Sequence, residues 1–156
     1  EGGAVVTVEL PVVEMEQWVE VKKAVETSGL NGAQLSGKKV LIVDDEKSIR
    51  ETLQDILKRE GFRVETARDG REALDIIEKE KFALIITDIK MPGYGGMDLY
   101  DSILQKHKYL KDKVIILTGD VFSHDVKDFL TKSGCPYMLK PFEPKKLLEM
   151  ANKLLA

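Results

Sequence analysis

A chain of 156 residues with 43% hydrophobic and 33% charged residues suits one globular domain plus an appendage. The net charge of −3, with no Lys/Arg-rich block, gives nucleic acid no electrostatic footing. No apolar run approaches the ~18 residues of a membrane span, so direct membrane contact is not expected. A single cysteine, Cys135, excludes an internal disulfide and reads as a small buried residue of a chain kept in a reducing compartment. The expected location is cytoplasmic, even where a parent protein is membrane-attached, since the acidic N-terminus is unlike a signal or transit peptide.

Residues 1–37 form an acidic leader with six acids and two bases. Within it, 2–11 is β-branched, partly alternating and stopped by Pro11, which predicts a strand. The Gly2-Gly3 step, the run Val5-Val6-Thr7-Val8-Glu9 and the Leu10-Pro11 ending resemble the closing strand of the ATP-binding domain of sensor histidine kinases. That resemblance implies that 1–37 is the remnant of such a domain with its linker. It implies no kinase activity here, because the family's nucleotide-binding boxes would lie upstream. A valine-rich tail is the plainer alternative. Residues 12–27 leave helix and strand both open, and 28–37 is a Gly/Ser/Asn linker. An orphaned valine-rich strand presents a pairing edge, so residues 4–10 are a candidate for self-association.

From Lys38 the pattern alternates. A strand over 39–43 precedes a helix over 46–60 with Ile49, Leu53, Ile56 and Leu57 on one face and Gly61 as its stop. A second strand covers 62–67, and Asp69, with Glu72 three residues on, can cap the next helix. The third strand, 82–87, ends on Asp88 and a loop holding Pro92, Gly93, Gly95 and Gly96, and Met97, Tyr100, Ile103 and Leu104 mark a third helix. The fourth strand, 114–117, ends on Thr118-Gly119-Asp120, and Ser123 can cap a helix carrying Val126, Phe129 and Leu130. A short strand, 137–139, ends on Lys140-Pro141, and Pro144 opens the last helix.

Five such β-α units imply an α/β fold, a parallel sheet covered on both faces. The natural arrangement at this size is the flavodoxin-like doubly wound order 2-1-3-4-5, with strands 1 and 3 flanking the topological switch point. Asp44, Asp45 and Asp88 then converge at the carboxyl edge, with Thr118 and Lys140 delivered from strands 4 and 5. Three crowded carboxylates need a cation or a shared proton, and oxygen-only ligands favour a hard ion such as Mg²⁺. A carboxylate beside Mg²⁺ can act as a nucleophile toward phosphorus. Lys140 supplies a point charge for a phosphoryl oxygen and Thr118 a hydroxyl donor. Either residue alone reads more simply as a surface charge or a turn residue; the coincidence of all five at strand ends carries the reading.

Val43-Asp44-Asp45-Glu46, Thr87-Asp88-Ile89-Lys90-Met91-Pro92, Leu117-Thr118-Gly119 and Leu139-Lys140-Pro141-Phe142 together resemble the receiver domain of bacterial two-component response regulators, over 38–156. The resemblance implies that Asp88 is the phosphoacceptor. It implies Mg²⁺ binding by Asp45, Asp88 and the Lys90 backbone carbonyl, and by Asp44 mainly through water. Thr118 and Tyr137 become the switch pair, Lys140 the phosphoryl contact, and Lys140-Pro141 a cis bond. The implied partners are a histidine kinase phosphodonor, in cis or in trans, and a histidine phosphotransfer protein, met on a face including Val126, Phe129 and Tyr137. Such a chain is not a turnover enzyme. With the leader, and with no DNA-binding module after the last helix, it is expected to be the C-terminal receiver of a hybrid sensor histidine kinase.

Tyr94 departs from the methionine frequent at its position. Lys90 and Asp120 stand where the family tunes self-dephosphorylation and are expected to pair across the site mouth. His107 and His124 read as solvated surface residues rather than phosphohistidines. Two other functions fit the fold. A Mg²⁺-dependent phosphohydrolase working through an aspartyl phosphate commonly wants an acid two residues after its nucleophile, where Lys90 stands. A flavin carrier would want a Ser/Thr/Gly-rich phosphate loop after strand 1, where Asp44-Asp45-Glu46 would repel the phosphate.

Overall fold

The computed structural model describes residues 37–155; the strand, linker and self-association expectations for the leader lie outside them. Five strands alternate with five helices: β1 (Lys39–Val43), α1 (Lys47–Arg59), β2 (Arg63–Ala67), α2 (Gly70–Lys79), β3 (Leu84–Asp88), α3 (Gly96–Lys106), β4 (Val114–Thr118), α4 (His124–Ser133), β5 (Tyr137–Leu139) and α5 (Pro144–Leu155). A short 3-10 turn, Lys108–Leu110, follows α3. All strands are parallel, in the order 2-1-3-4-5. This is the flavodoxin-like arrangement expected from the alternation.

The two faces of the sheet divide the apolar residues by strand parity. Leu41, Val43, Ile85 and Ile116 point into one core with Ala73 and Ile77 of α2, Leu99 and Ile103 of α3, and Val126 of α4. Val40, Ile42, Leu84, Ile86 and Ile115 point into the other, with Leu53, Ile56 and Leu57 of α1 and Leu147, Leu148 and Ala151 of α5. Central strands buried on both sides read as continuous apolar runs, whereas the edge strand β2 alternates.

Local signals act as expected in several places. The Asp69 carboxylate accepts from the Glu72 amide (2.9 Å), and Glu72 reaches back to the Arg68 amide (2.7 Å), a reciprocal cap for α2. Gly61 takes a positive φ of 94° after α1, and Pro144 opens α5. Elsewhere tertiary contacts shift the boundaries. β3 starts at Leu84, because Phe82 is a core contact rather than a ladder residue, and it extends through Asp88, which pairs with Leu117. β2 begins at Arg63 for the same reason, Phe62 being packed into the core beneath α1. Ser123 occupies the N-cap position of α4 but its side chain makes no cap bond; the Asp120 carboxylate takes the Phe122 and Ser123 amides instead.

Gly96 opens α3 so close to β3 that a Cβ there would strike the Asp88 carbonyl and the Ile89 backbone, whereas Gly119 has open space around it. Gly96→Ala should lower stability by on the order of 2 kcal/mol, while Gly119→Ala stays within about 0.5 kcal/mol. Urea unfolding of the two variants beside the parent checks this.

Candidate functional site

Strand register builds the site. Val43 pairs with Thr87, so the next residues, Asp44 and Asp88, lie side by side at the carboxyl edge of β1 and β3. Asp88 pairs with Leu117 and Thr118 with Leu139, which puts Thr118 and Lys140 on the same edge. The carboxylates of Asp44, Asp45 and Asp88 offer ligand atoms all within 4.8 Å of one another, with Asp44 and Asp88 buried and Asp45 exposed. The three acids, the hydroxyl and the amine gathered from sequence therefore meet.

Lys140 arranges the acids. Its Nζ lies 2.8 Å from Asp44 Oδ2, 3.4 Å from Asp88 Oδ2 and 4.0 Å from Glu46 Oε1. Asp44 is further fixed by the Glu46 amide, which donates to Oδ1 (2.9 Å), and its carbonyl accepts from Arg50 Nη1 (2.7 Å). Arg50 does not stand out in the sequence, because a charged residue near the start of a helix gives no sign of reaching back to the preceding strand. The Lys140-Pro141 peptide is cis, as expected.

The charges respond to this crowding. Burial pushes the Asp88 carboxyl from 3.8 up to about 6; Lys140 opposes the rise and Asp44 adds to it. Burial alone would lower the Lys140 ammonium, but its hydrogen bond to Asp44 and the charges of Asp88 and Asp44 outweigh that and raise it. The donor set is hard oxygen throughout, two of its three carboxylates are buried, and burial raises the Asp88 carboxyl, which is the strain a divalent cation relieves. The residues fit Mg²⁺.

Thr118 is at the site but turned from it. Its Oγ1 donates to the Asp120 carbonyl (2.9 Å) and accepts the Asp120 amide (3.0 Å). Asp120 itself is held below the usual carboxylate range, chiefly by the Phe122 and Ser123 amides, and pairs with Lys90 at 3.6 Å, the cross-mouth contact expected from sequence. Tyr137 is 45% exposed. The expected partner face needs correction: Val126 is fully buried, and Phe129 is half-buried with its ring edge-on to Tyr100 at 5.6 Å. Both serve the core because α4 lays that side on the sheet; the exposed apolar groups nearby are Phe122, Tyr137 and Leu139. His124 is exposed as expected, but His107 is half-buried, with its Nε2 enclosed and unpartnered.

With this geometry in place, likeness to known proteins becomes informative. Residues 40–152 match the family model of the response regulator receiver domain. The chain belongs to that family. The regulatory protein VanR of Enterococcus faecium is 37% identical over 110 residues, covering 70% of this chain and 46% of VanR. The chain thus spans about half the length of the curated relatives it matches. Among solved structures, the response regulator TrrA of Thermotoga maritima, in complex with Mg(2+)-BeF, superposes with a TM-score of 0.66 at 38% identity, covering 76% of this chain and 99% of TrrA. The receiver domain of a signal transduction histidine kinase from Syntrophus aciditrophicus gives 0.70 at 28% identity, covering 76% of this chain and 90% of that one. Among the described residues, no helix of this receiver is long and apolar enough to cross a membrane.

The raised Asp88 pKa has a consequence for stability. A carboxyl whose folded value lies above its unfolded value is in its favoured, neutral form at low pH. Its penalty therefore grows as pH rises from about 4 through about 6. Without Mg²⁺ at pH 7.5, Asp88→Asn should be more stable than the parent by on the order of 1 kcal/mol, allowing for partial solvent screening. The gap should close on acidification towards pH 4. Urea midpoints across that range check both the sign and the window.

Proposed function

We propose that this chain is a phosphoacceptor receiver of a two-component phosphorelay, taking a phosphoryl group from a phosphohistidine onto Asp88. The observation that carries the reading is the Lys140 ammonium lying between the Asp44 and Asp88 carboxylates, beside an acid triad open to solvent through Asp45. Asp44, Asp45 and Asp88, with the Lys90 carbonyl, would hold Mg²⁺, which supplies charge neutralisation for the transferring phosphoryl group.

The chain's own residues do the rest. An Asp88 oxygen forms a bond to phosphorus as the P–N bond to the donor imidazole breaks, and the bonding pair leaves with the imidazole nitrogen. Lys140 moves its hydrogen bonding toward the new phosphoryl oxygens, and Thr118 leaves Asp120 to donate to another. Vacating that space lets Tyr137 turn inward, which alters the surface around β5. The new dianionic group rewards these moves, because both donors gain a charge-assisted bond.

The donor is a histidine kinase and the recipient a histidine phosphotransfer protein; the isolated chain slowly hydrolyses its own phosphate rather than turning over substrate. Residues 1–37 as the end of a kinase ATP-binding domain, and 38–156 as the receiver, make the parent a hybrid histidine kinase working in the cytoplasm. The kinase-like sequence of 2–11 supports this, as does the likeness to a receiver of a histidine kinase. Self-association through residues 4–10 belongs to the same reading.

Incubation with Mg²⁺ and acetyl phosphate should give one adduct of about 80 Da, the mass of a phosphoryl group, by intact mass spectrometry. Asp88→Ala should abolish it, and omission of Mg²⁺ should suppress it. Multiple turnover of acetyl phosphate with no adduct would instead support a phosphohydrolase.

The Lys90–Asp120 pair, 3.6 Å apart, would stand across the approach of a hydrolytic water in this reading. Lys90→Ala should therefore shorten the lifetime of the phosphorylated chain roughly 2- to 10-fold, the scale of one exposed ion pair and its shielding. Decay of the adduct in the two proteins, followed by mass, decides; an equal or longer lifetime removes the shielding role.

A further inference from the structure

Tyr94 sits in the loop between β3 and α3, and contacts from two helices converge on it. Its hydroxyl is 2.5 Å from Ser102 Oγ on α3. Its carbonyl accepts the Gly70 amide at the start of α2 (2.9 Å). The Arg71 guanidinium lies over its ring, 5.2 Å from the centroid. The ring lies so close to Gly70 that a Cβ there would overlap it, and the same Cβ would come within 2.8 Å of the Tyr94 carbonyl. Tyr94 thus ties one loop to the first turn of α2 and to the flank of α3.

The loop passes that constraint inward. Directly after Tyr94, Gly95 and Gly96 turn back against the outgoing limb. The Gly96 amide donates to the Ile89 carbonyl (3.0 Å), and a Cβ on Gly95 would lie 3.1 Å from that same oxygen. A Cβ on Gly96 would meet the Asp88 carbonyl. Ile89–Met91 therefore rests on the two glycines, and the glycines are placed by Tyr94. Lys90 lies between Ile89 and Met91, whose backbone atoms the glycines abut, so its backbone cannot shift without the return limb shifting too.

We infer that Tyr94 is a positioning residue: a strap from the β3–α3 loop to Ser102 and Gly70 that holds the Lys90 backbone in place for cation binding beside Asp88. The inference rests on the metal role assigned to that carbonyl in the proposed function. A lone aromatic in a Gly-rich loop is ordinarily a packing residue. Here the hydroxyl bond and the Gly70 contact give it a directional hold that packing alone lacks.

The test uses the full chain with Tyr94→Phe, Ser102→Ala and the double variant. In the metal-free proteins, amide hydrogen exchange over residues 90–95 should rise roughly 2- to 10-fold, the scale of one lost hydrogen bond. The Mg²⁺ dissociation constant from calorimetry should rise within the same roughly 2- to 10-fold range, with the urea midpoint nearly unchanged. The double variant should match the single ones, because each removes the same bond. Parent-level exchange and Mg²⁺ affinity in Tyr94→Phe would overturn the strap. Faster exchange with unaltered Mg²⁺ affinity would overturn it too, leaving a packing residue. A parent chain that binds no Mg²⁺ overturns the metal role itself, and the strap's purpose with it.

Discussion

A half-buried ammonium between two buried carboxylates is the constraint on which the rest of this receiver depends. Lys140 reaches Asp44 at 2.8 Å and Asp88 at 3.4 Å, across the carboxyl edge of a sheet whose central strands are largely apolar. Without that cation, two carboxylates at this depth could not both remain charged. With it, Asp88 is still pushed up to about 6, so the acid is compensated only in part. An incompletely balanced carboxylate is suited to a further positive charge, and in the proposed function it would then take a phosphoryl group.

Around that centre, the loops at the carboxyl edge hold one another in place. Asp120 is their node: its backbone occupies the Thr118 hydroxyl, its carboxylate organises the start of α4, and its second contact is Lys90 from the neighbouring loop. Thr118 is therefore engaged elsewhere while Tyr137 stands partly in solvent. Under the proposed function, a phosphoryl group on Asp88 would compete with Asp120 for Thr118, which would give the site a bistable element rather than a continuous spring. The exposed apolar surface near β5 is narrower than the receiver resemblance implied. Val126 is spent on the core and Phe129 on Tyr100, so Phe122, Tyr137 and Leu139 are the apolar groups near β5 left to respond.

Much of this was legible in the residues. Buried parallel strands need apolar residues on both faces, so the runs 40–43, 84–86 and 114–117 declared themselves, and the helices between them carried one-sided stripes. Acids directly after two such runs have few places to be except the sheet's carboxyl edge. The Asp69 cap, the Gly61 stop and Pro144 at a helix start are local chemistry and came out as local chemistry. Less legible was that the single apolar face of α4, with Val126, Phe129 and Leu130, is spent on the core and not left for a partner. Equally hidden were contacts that leap between elements: Arg50 to the Asp44 carbonyl, and Tyr94 to Ser102 and Gly70.

The sequence by itself determined the α/β class, the strand order as the natural choice, and the identity of the five residues at the carboxyl edge. Each follows from spacing along one chain. Only the tertiary structure decided what those residues do to each other at rest. Register placed Asp44 beside Asp88, and packing turned Thr118 toward Asp120. Burial then raised one carboxyl while leaving Asp45 in water. Such outcomes depend on distances of a few ångströms between strands far apart in sequence, where the Coulomb and desolvation energies that set protonation change steeply.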